Sequence, residues 1–143
     1  MKVVKENIIF LDPTLGSLVL LRSEIRKFVS ELVSKQLQNR IIFSLDEIVT
    51  NVIEHGGILS LDQKIEIRIL EYTDYLCFTV IDFGKPFDPT KYTGADSKQK
   101  LASGADGGFG LNAIKKVASL HYTRLVAENK NKLDLHFRKD NHG

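Results

Sequence analysis

The chain has 143 residues, with 20 Lys and Arg against 18 Asp and Glu, so its net charge of +2 marks it as neither strongly basic nor strongly acidic. At 43% hydrophobic and 27% charged it can bury a core without staples, and the lone Cys77 excludes a disulfide framework or a Cys-rich zinc module. Apolar runs such as Leu18 to Leu21 are too short to cross a bilayer, and the Lys- and Glu-rich start does not read as a signal peptide. The expectation is a single domain over residues 1–143, cytoplasmic and without membrane contact.

Lys2 to Leu11 is rich in Val, Ile and Phe and reads as a first strand. Asp12-Pro13-Thr14 is a turn that starts a helix, and Leu18, Leu21, Ile25, Phe28 and Leu32 carry that helix to about Ser34. A second helix runs from about Asn39, with Ile41, Leu45, Ile48 and Val52 on one face, and ends at Gly56-Gly57. Lys64 to Leu70 alternates Ile65, Ile67 and Ile69 with polar residues, whereas Leu76 to Ile81 is almost wholly apolar and suits a more central strand. The short Tyr72-Thr73-Asp74 link joins them as an antiparallel hairpin.

No period survives from Gly84 to Gly107. A loop of that length in a compact domain is usually a functional lid, here over about residues 85–107, or disordered. Leu111, Ile114, Val117 and Ala118 then give a third helix, and Tyr122 to Ala127 with Leu133 to Phe137 close the chain as a second hairpin. The order β-α-α-β-β-loop-α-β-β indicates an α+β two-layer sandwich with a mixed, mostly antiparallel sheet packed against helices.

Three clusters carry chemistry. On the second helix, Asp46, Glu47, Asn51, Glu54 and His55 lie together, and Glu47 and Asn51 project from one face one turn apart. A carboxylate beside a carboxamide offers a general base and an oxygen ligand for Mg²⁺, although a solvated helix face has the same composition. At the end of the apolar strand stands Asp82-Phe83-Gly84-Lys85-Pro86-Phe87-Asp88-Pro89. A carboxylate leaving a buried strand wants a fixed donor, for which a purine's exocyclic amine is one choice, while a plain turn favours the same residues. The third cluster, Gly104 to Leu111, leads straight into a helix whose free N–H groups and dipole favour an anion. It lacks the G-K-[ST] of a P-loop and lies too late in the chain for a dinucleotide fold.

Charge is unevenly divided among these parts. Residues 1–40 carry a net +3, residues 41–96 a net −6 and residues 97–143 a net +5. This division argues against a general nucleic-acid binder, which gathers its basic residues in one dominant patch. An acidic segment able to hold a cation beside a basic one able to hold phosphate fits a nucleotide cleft better.

Taken together, DEIVTNVIEH (46–55), DFGKPFDP (82–89) and GGFGLNAIKK (107–116) resemble the GHKL ATPase superfamily with its Bergerat fold, and most of all the bacterial anti-sigma-factor serine/threonine kinases. The resemblance spans about Phe10 to Phe137. It implies ATP and Mg²⁺ as cofactors, with Asn51 as the Mg²⁺ ligand and Glu47 as the base accepting the proton of an attacking hydroxyl. Asp82 would hold the adenine amine, with Gly84 under the ring and His55 and Pro86 in the matching motifs. Gly107, Gly108, Phe109, Gly110 and Leu111 would form the phosphate cradle, with Lys98 or Lys100 reaching the terminal phosphate. Two departures stand out: Lys130-Asn131-Lys132 replaces the Gly-Thr that many relatives carry before the last strand, and Ser119-Leu120-His121 replaces an acidic pair.

The implied function is an anti-sigma factor that phosphorylates a small STAS-type antagonist and sequesters a sigma factor. The alternative is a non-catalytic, ATP-gated module gripping a sigma factor or phosphatase regulator. The catalytic half of a sensor histidine kinase fits less well, because no phosphoacceptor helical hairpin is visible. Homodimerisation through the first strand and first helix is implied by the resemblance alone.

Overall fold

The computed structural model describes residues 2–58, 60–91 and 108–140. Its strands are β1 (Lys5–Leu11), β2 (Ile65–Glu71), β3 (Tyr75–Asp82), β4 (Ser119–Leu125) and β5 (Lys130–Arg138). Its helices are α1 (Leu18–Val29), α2 (Lys35–His55) and α3 (Gly108–Val117), with short 3-10 turns at Leu15–Ser17 and Pro89–Lys91. The strands form one sheet in the order β1-β2-β3-β5-β4. Every neighbouring pair is antiparallel, so the expected mixed sheet is corrected to an antiparallel one. Each strand pairs only where hairpins or long returns bring it back in the opposite sense, and among the described residues no crossover places two strands side by side in the same direction.

Strand patterning decides which face is covered. Ile65, Ile67 and Ile69 of β2, Leu76, Phe78 and Val80 of β3, and Leu133, Leu135 and Phe137 of β5 all point to the helix side. Against them pack Leu21, Ile25 and Phe28 of α1, Ile41, Leu45 and Ile48 of α2, and Leu111 and Ile114 of α3. Phe78 and Phe137 meet edge to face at 5.8 Å and 85°, the geometry that aligns ring edge with ring face. Central β3 is buried from Leu76 to Asp82, as its continuous apolar run implied. No helix among the described residues is long and apolar enough to cross a membrane.

The first two helices meet earlier than periodicity suggested. α1 stops at Val29, not Ser34, and α2 starts at Lys35, not Asn39. Ser34 is the N-cap: it is extended, and its side chain accepts a hydrogen bond from the Leu37 N–H. Gln38 then turns back to donate to the carbonyls of Ser30 and Val33, satisfying groups that the end of α1 exposes. The apolar rhythm crosses this turn unbroken because Val33 is itself buried in the core. Ser34→Ala is expected to cost about 1 kcal/mol and lower the melting temperature by roughly 2–4 °C, read by thermal unfolding.

Candidate nucleotide site

The cleft is built where the end of α2 meets the exit of β3. Gly57 takes the left-handed conformation that stops the helix, with φ of 71°. Just before it, the Gly56 carbonyl accepts a hydrogen bond from Lys85 N–H at 2.8 Å, which staples the two segments together. Gly84 makes the approach possible: a Cβ there would stand 3.1 Å from both Cα and O of Gly56, and 2.8 Å from Asp82 Oδ1. Gly84 N–H also donates to Asp82 Oδ1 at 2.8 Å. The two-residue spacing of Asp82 and Gly84 therefore has a local cause, a side-chain-closed turn that no other residue type can enter without displacing its neighbours.

Beneath this junction lies a cleft of about 440 Å³, within the range of small-molecule sites. Ile48 and Val52 of α2 face Val80 and Leu133 of the sheet across it, leaving apolar walls suited to a flat ring. Asn51, His55, Asp82, Pro86 and Leu111 all line it. Gly84 does not; it is buried behind Asp82 against Gly56, so its glycine requirement comes from packing in the protein.

Asp82 is 5% exposed at the inner end of β3. Burial pushes its carboxyl above the ordinary carboxylate range, while hydrogen bonds from Asn131 and Gly84 and the charge of Arg124 pull the other way. The register explains this group. Asp82 pairs with Asn131 across β3 and β5, and Asn131 pairs with Arg124 across β5 and β4, so three polar residues form one row at the end of the sheet. Asn131 is 7% exposed and donates to Asp82 Oδ1 at 3.1 Å. Asn131 entered the sequence reading only as part of the Lys130-Asn131-Lys132 departure, and Tyr122, whose hydroxyl donates to Asn131 Oδ1 at 2.5 Å and which also lines the cleft, was not singled out. The available signal was the alternation of β5, which places Asn131 in phase with Leu133, Leu135 and Phe137 on the buried face.

The remaining α2 residues divide. Asp46 is taken by Arg22 of α1 through two hydrogen bonds of 2.9 and 3.2 Å and belongs to helix packing, and Glu54 is exposed. Glu47 is half-buried, and its carboxylate lies where a side chain on Gly110 would project. Gly108, Phe109 and Gly110 form the first turn of α3, so α2 and the start of α3 bring Glu47 and the anion-favouring helix end together. Lys98, Lys100 and Gly107 lie outside the described residues.

The donor set fits a nucleotide carrying its own metal. Among the described residues no group of three His, Cys, Asp or Glu side chains could hold an ion by protein ligands alone. Mg²⁺ at kinase-type sites takes one or two protein oxygens and completes its shell with phosphates and water, which the Asn51 carboxamide at the cleft suits.

A family profile described as the histidine kinase-like ATPase domain matches residues 11–137. Among solved structures, the chain is similar to the RsbU and RsbW domains of Rv1364c from Mycobacterium tuberculosis, with a TM-score of 0.65 and 17% identity over 97% of this chain. This chain covers 34% of that one. It is also similar to the Acinetobacter baumannii histidine kinase AdeS, with a TM-score of 0.50 and 13% identity over 96% of this chain and 70% of that one. At these identities the likeness speaks for the fold. No curated protein matches the chain.

Proposed function

The chain belongs to the histidine kinase-like ATPase family, and from that membership we propose that it is an ATP-binding anti-sigma factor with serine/threonine kinase activity. Its substrate in this reading is a small STAS-type antagonist, and its regulatory target is a sigma factor. The observation that carries the reading is the placement of Glu47 against Gly110, with Asn51 one turn along α2 at the cleft. A proton acceptor, a metal ligand and a phosphate-favouring helix end then converge beside a ring-sized apolar slot. The fold likeness to a structure containing an RsbW domain supports the choice of kinase group.

Bound Mg·ATP supplies the transferable phosphoryl group. Asp82 orients the base through its exocyclic amine, Asn51 offers its carboxamide oxygen to the metal, and Glu47 takes the proton of the acceptor hydroxyl. Transfer of this type depends on positioning and electrostatics more than on covalent help from the protein, which suits a site with one acid–base group. The homodimer implied by the family resemblance would use β1 and α1, where Ile8, Phe10 and Val19 are 51%, 61% and 68% exposed.

The test is incubation of the protein with radiolabelled Mg·ATP and purified STAS-type proteins of its host. One of them is expected to acquire a single phosphoserine or phosphothreonine. Nucleotide-dependent capture of a partner with no label on any protein would instead identify a non-catalytic switch.

A further inference from the structure

We propose that the groove between α2 and α3 is the surface on which the phosphoacceptor protein docks, through an apolar side chain flanked by an acidic one. The inference rests on the kinase reading of the site. Residues four apart on α2 form one ridge: Asn39, Phe43, Glu47, Asn51 and His55. Asn51 and His55 line the nucleotide cleft, whereas Asn39 and Phe43 line a separate, shallow groove of about 380 Å³. Glu47 stands between the two. As α2 runs back from Glu47 to Phe43 and Gln36, α3 runs on from Gly110 to Ala113 and Val117, so the helices flank the groove side by side. Its α2 wall extends roughly 16 Å from Glu47 at the helical rise.

Phosphoryl transfer sets the attacking and leaving oxygens roughly in line, so acceptor and nucleotide approach from opposite sides. With the nucleotide on the Asn51 side of Glu47, the acceptor hydroxyl comes from the Phe43 side, and the protein that carries it covers the groove. The other flank of α2 is closed by α1, where Arg22 pairs with Asp46 and Arg26 donates to Asn39 Oδ1 at 3.0 Å. The groove's chemistry specifies its occupant. Phe43 is 48% exposed in mid-helix, beside exposed Ala113 and half-buried Val117, and a covered aromatic ring of this kind dominates an interface. Arg40 lines the same groove, and among the described residues its guanidinium has no hydrogen-bond or ion-pair partner. Lys35 and Lys116, next in the chain to Gln36 and Val117, are exposed and extend a basic rim. A carboxylate beside an apolar side chain complements that surface. A second copy of this chain fits it worse, because a two-fold contact would set the basic rim against itself.

The experiment uses the full chain and the STAS-type protein labelled in the assay above, with Phe43→Ala and Arg40→Glu as variants. Phe43→Ala is expected to raise KM for the acceptor by about tenfold or more while kcat stays within about threefold. Melting temperature and Mg·ATP affinity should match the parent's, since both side chains are exposed. The parent's KM should rise with ionic strength, and Arg40→Glu should raise it at low salt and remove that dependence. An acceptor KM unchanged in both variants, or a loss confined to kcat, overturns the site. So does conversion of a dimer to a monomer, or loss of sigma-factor capture, while acceptor KM holds, because the groove then serves another partner. A photocrosslinker attached through Gln36→Cys, which removes neither contact, should link to the acceptor protein, and no link there overturns the site as well. A parent that labels no protein removes the kinase reading and the docking site with it, an outcome seen before any variant is made.

Discussion

Glu47→Gln is expected to slow phosphoryl transfer by about 10²–10⁴-fold, the contribution of a positioned acid–base group, while leaving Mg·ATP affinity within about threefold. The substitution keeps the side chain's length and its place against Gly110 but removes the ability to hold a proton. Glu47 is not part of the cleft wall that Asp82 and Asn51 share, so binding of the base should not sense the change. Initial rates of label transfer and calorimetric titration separate the two effects. If affinity fell as far as rate, Glu47 would be a binding group and the assigned role would be lost. Gly110→Ala supplies a second route to the same end, because its new methyl would land on the Glu47 carboxylate. The clash runs from Cγ to Oε1 of Glu47, so the side chain must swing away from its place beside α3 and the rate should fall.

Element type and order were legible in the sequence because burial period and secondary-structure period coincide over most of the chain. They part at the junction of α1 and α2. Val33 is buried within a turn and keeps the helical rhythm going, while the break is made by Ser34 and Gln38 through hydrogen bonds that periodicity does not register. The motif residues were legible through the order and spacing of the three clusters together, since each taken singly also fits a solvated helix face, a plain strand exit or a glycine-rich turn. Asn131 was legible only as a departure from the family pattern at Lys130-Asn131-Lys132; its place opposite Asp82 comes from the strand register. Meaning also shifted for the charge division. Part of the acidic middle is paired outside the cleft, Asp46 with Arg22 and Glu71 with Lys139 at 2.7 Å. Among the described residues the site keeps Asp82, buried beside Arg124, and half-buried Glu47 against Gly110, a smaller and more specific arrangement than an acidic half facing a basic half.

The buried carboxylate of Asp82 sets function against stability, and Asp82→Asn should expose the conflict. An Asn oxygen at this position can keep the hydrogen bonds from Gly84 N–H and Asn131 Nδ2, now 2.8 and 3.1 Å, so the local turn survives. Its NH₂ then faces the cleft as a donor where the base also offers a donor. ATP affinity is expected to fall by about ten- to a hundredfold, the range of a lost charged hydrogen bond. The ligand-free chain, by contrast, should melt at a higher temperature at neutral pH, because desolvation of the buried charge is the largest influence on Asp82. Since the folded state holds the Asp82 proton more tightly than the unfolded state, this residue favours folding most below its ordinary value of 3.8, and that advantage is lost as pH rises through the raised value. The gain from Asp82→Asn should therefore be full at neutral pH, shrink on acidification through the raised value and disappear below 3.8, where the parent is protonated in both states. Melting curves across that range, beside titrations with ATP, measure both sides. A variant that is less stable than the parent at neutral pH, or that binds ATP as well as the parent does, would mean that Asp82 is held for the fold and not for the base.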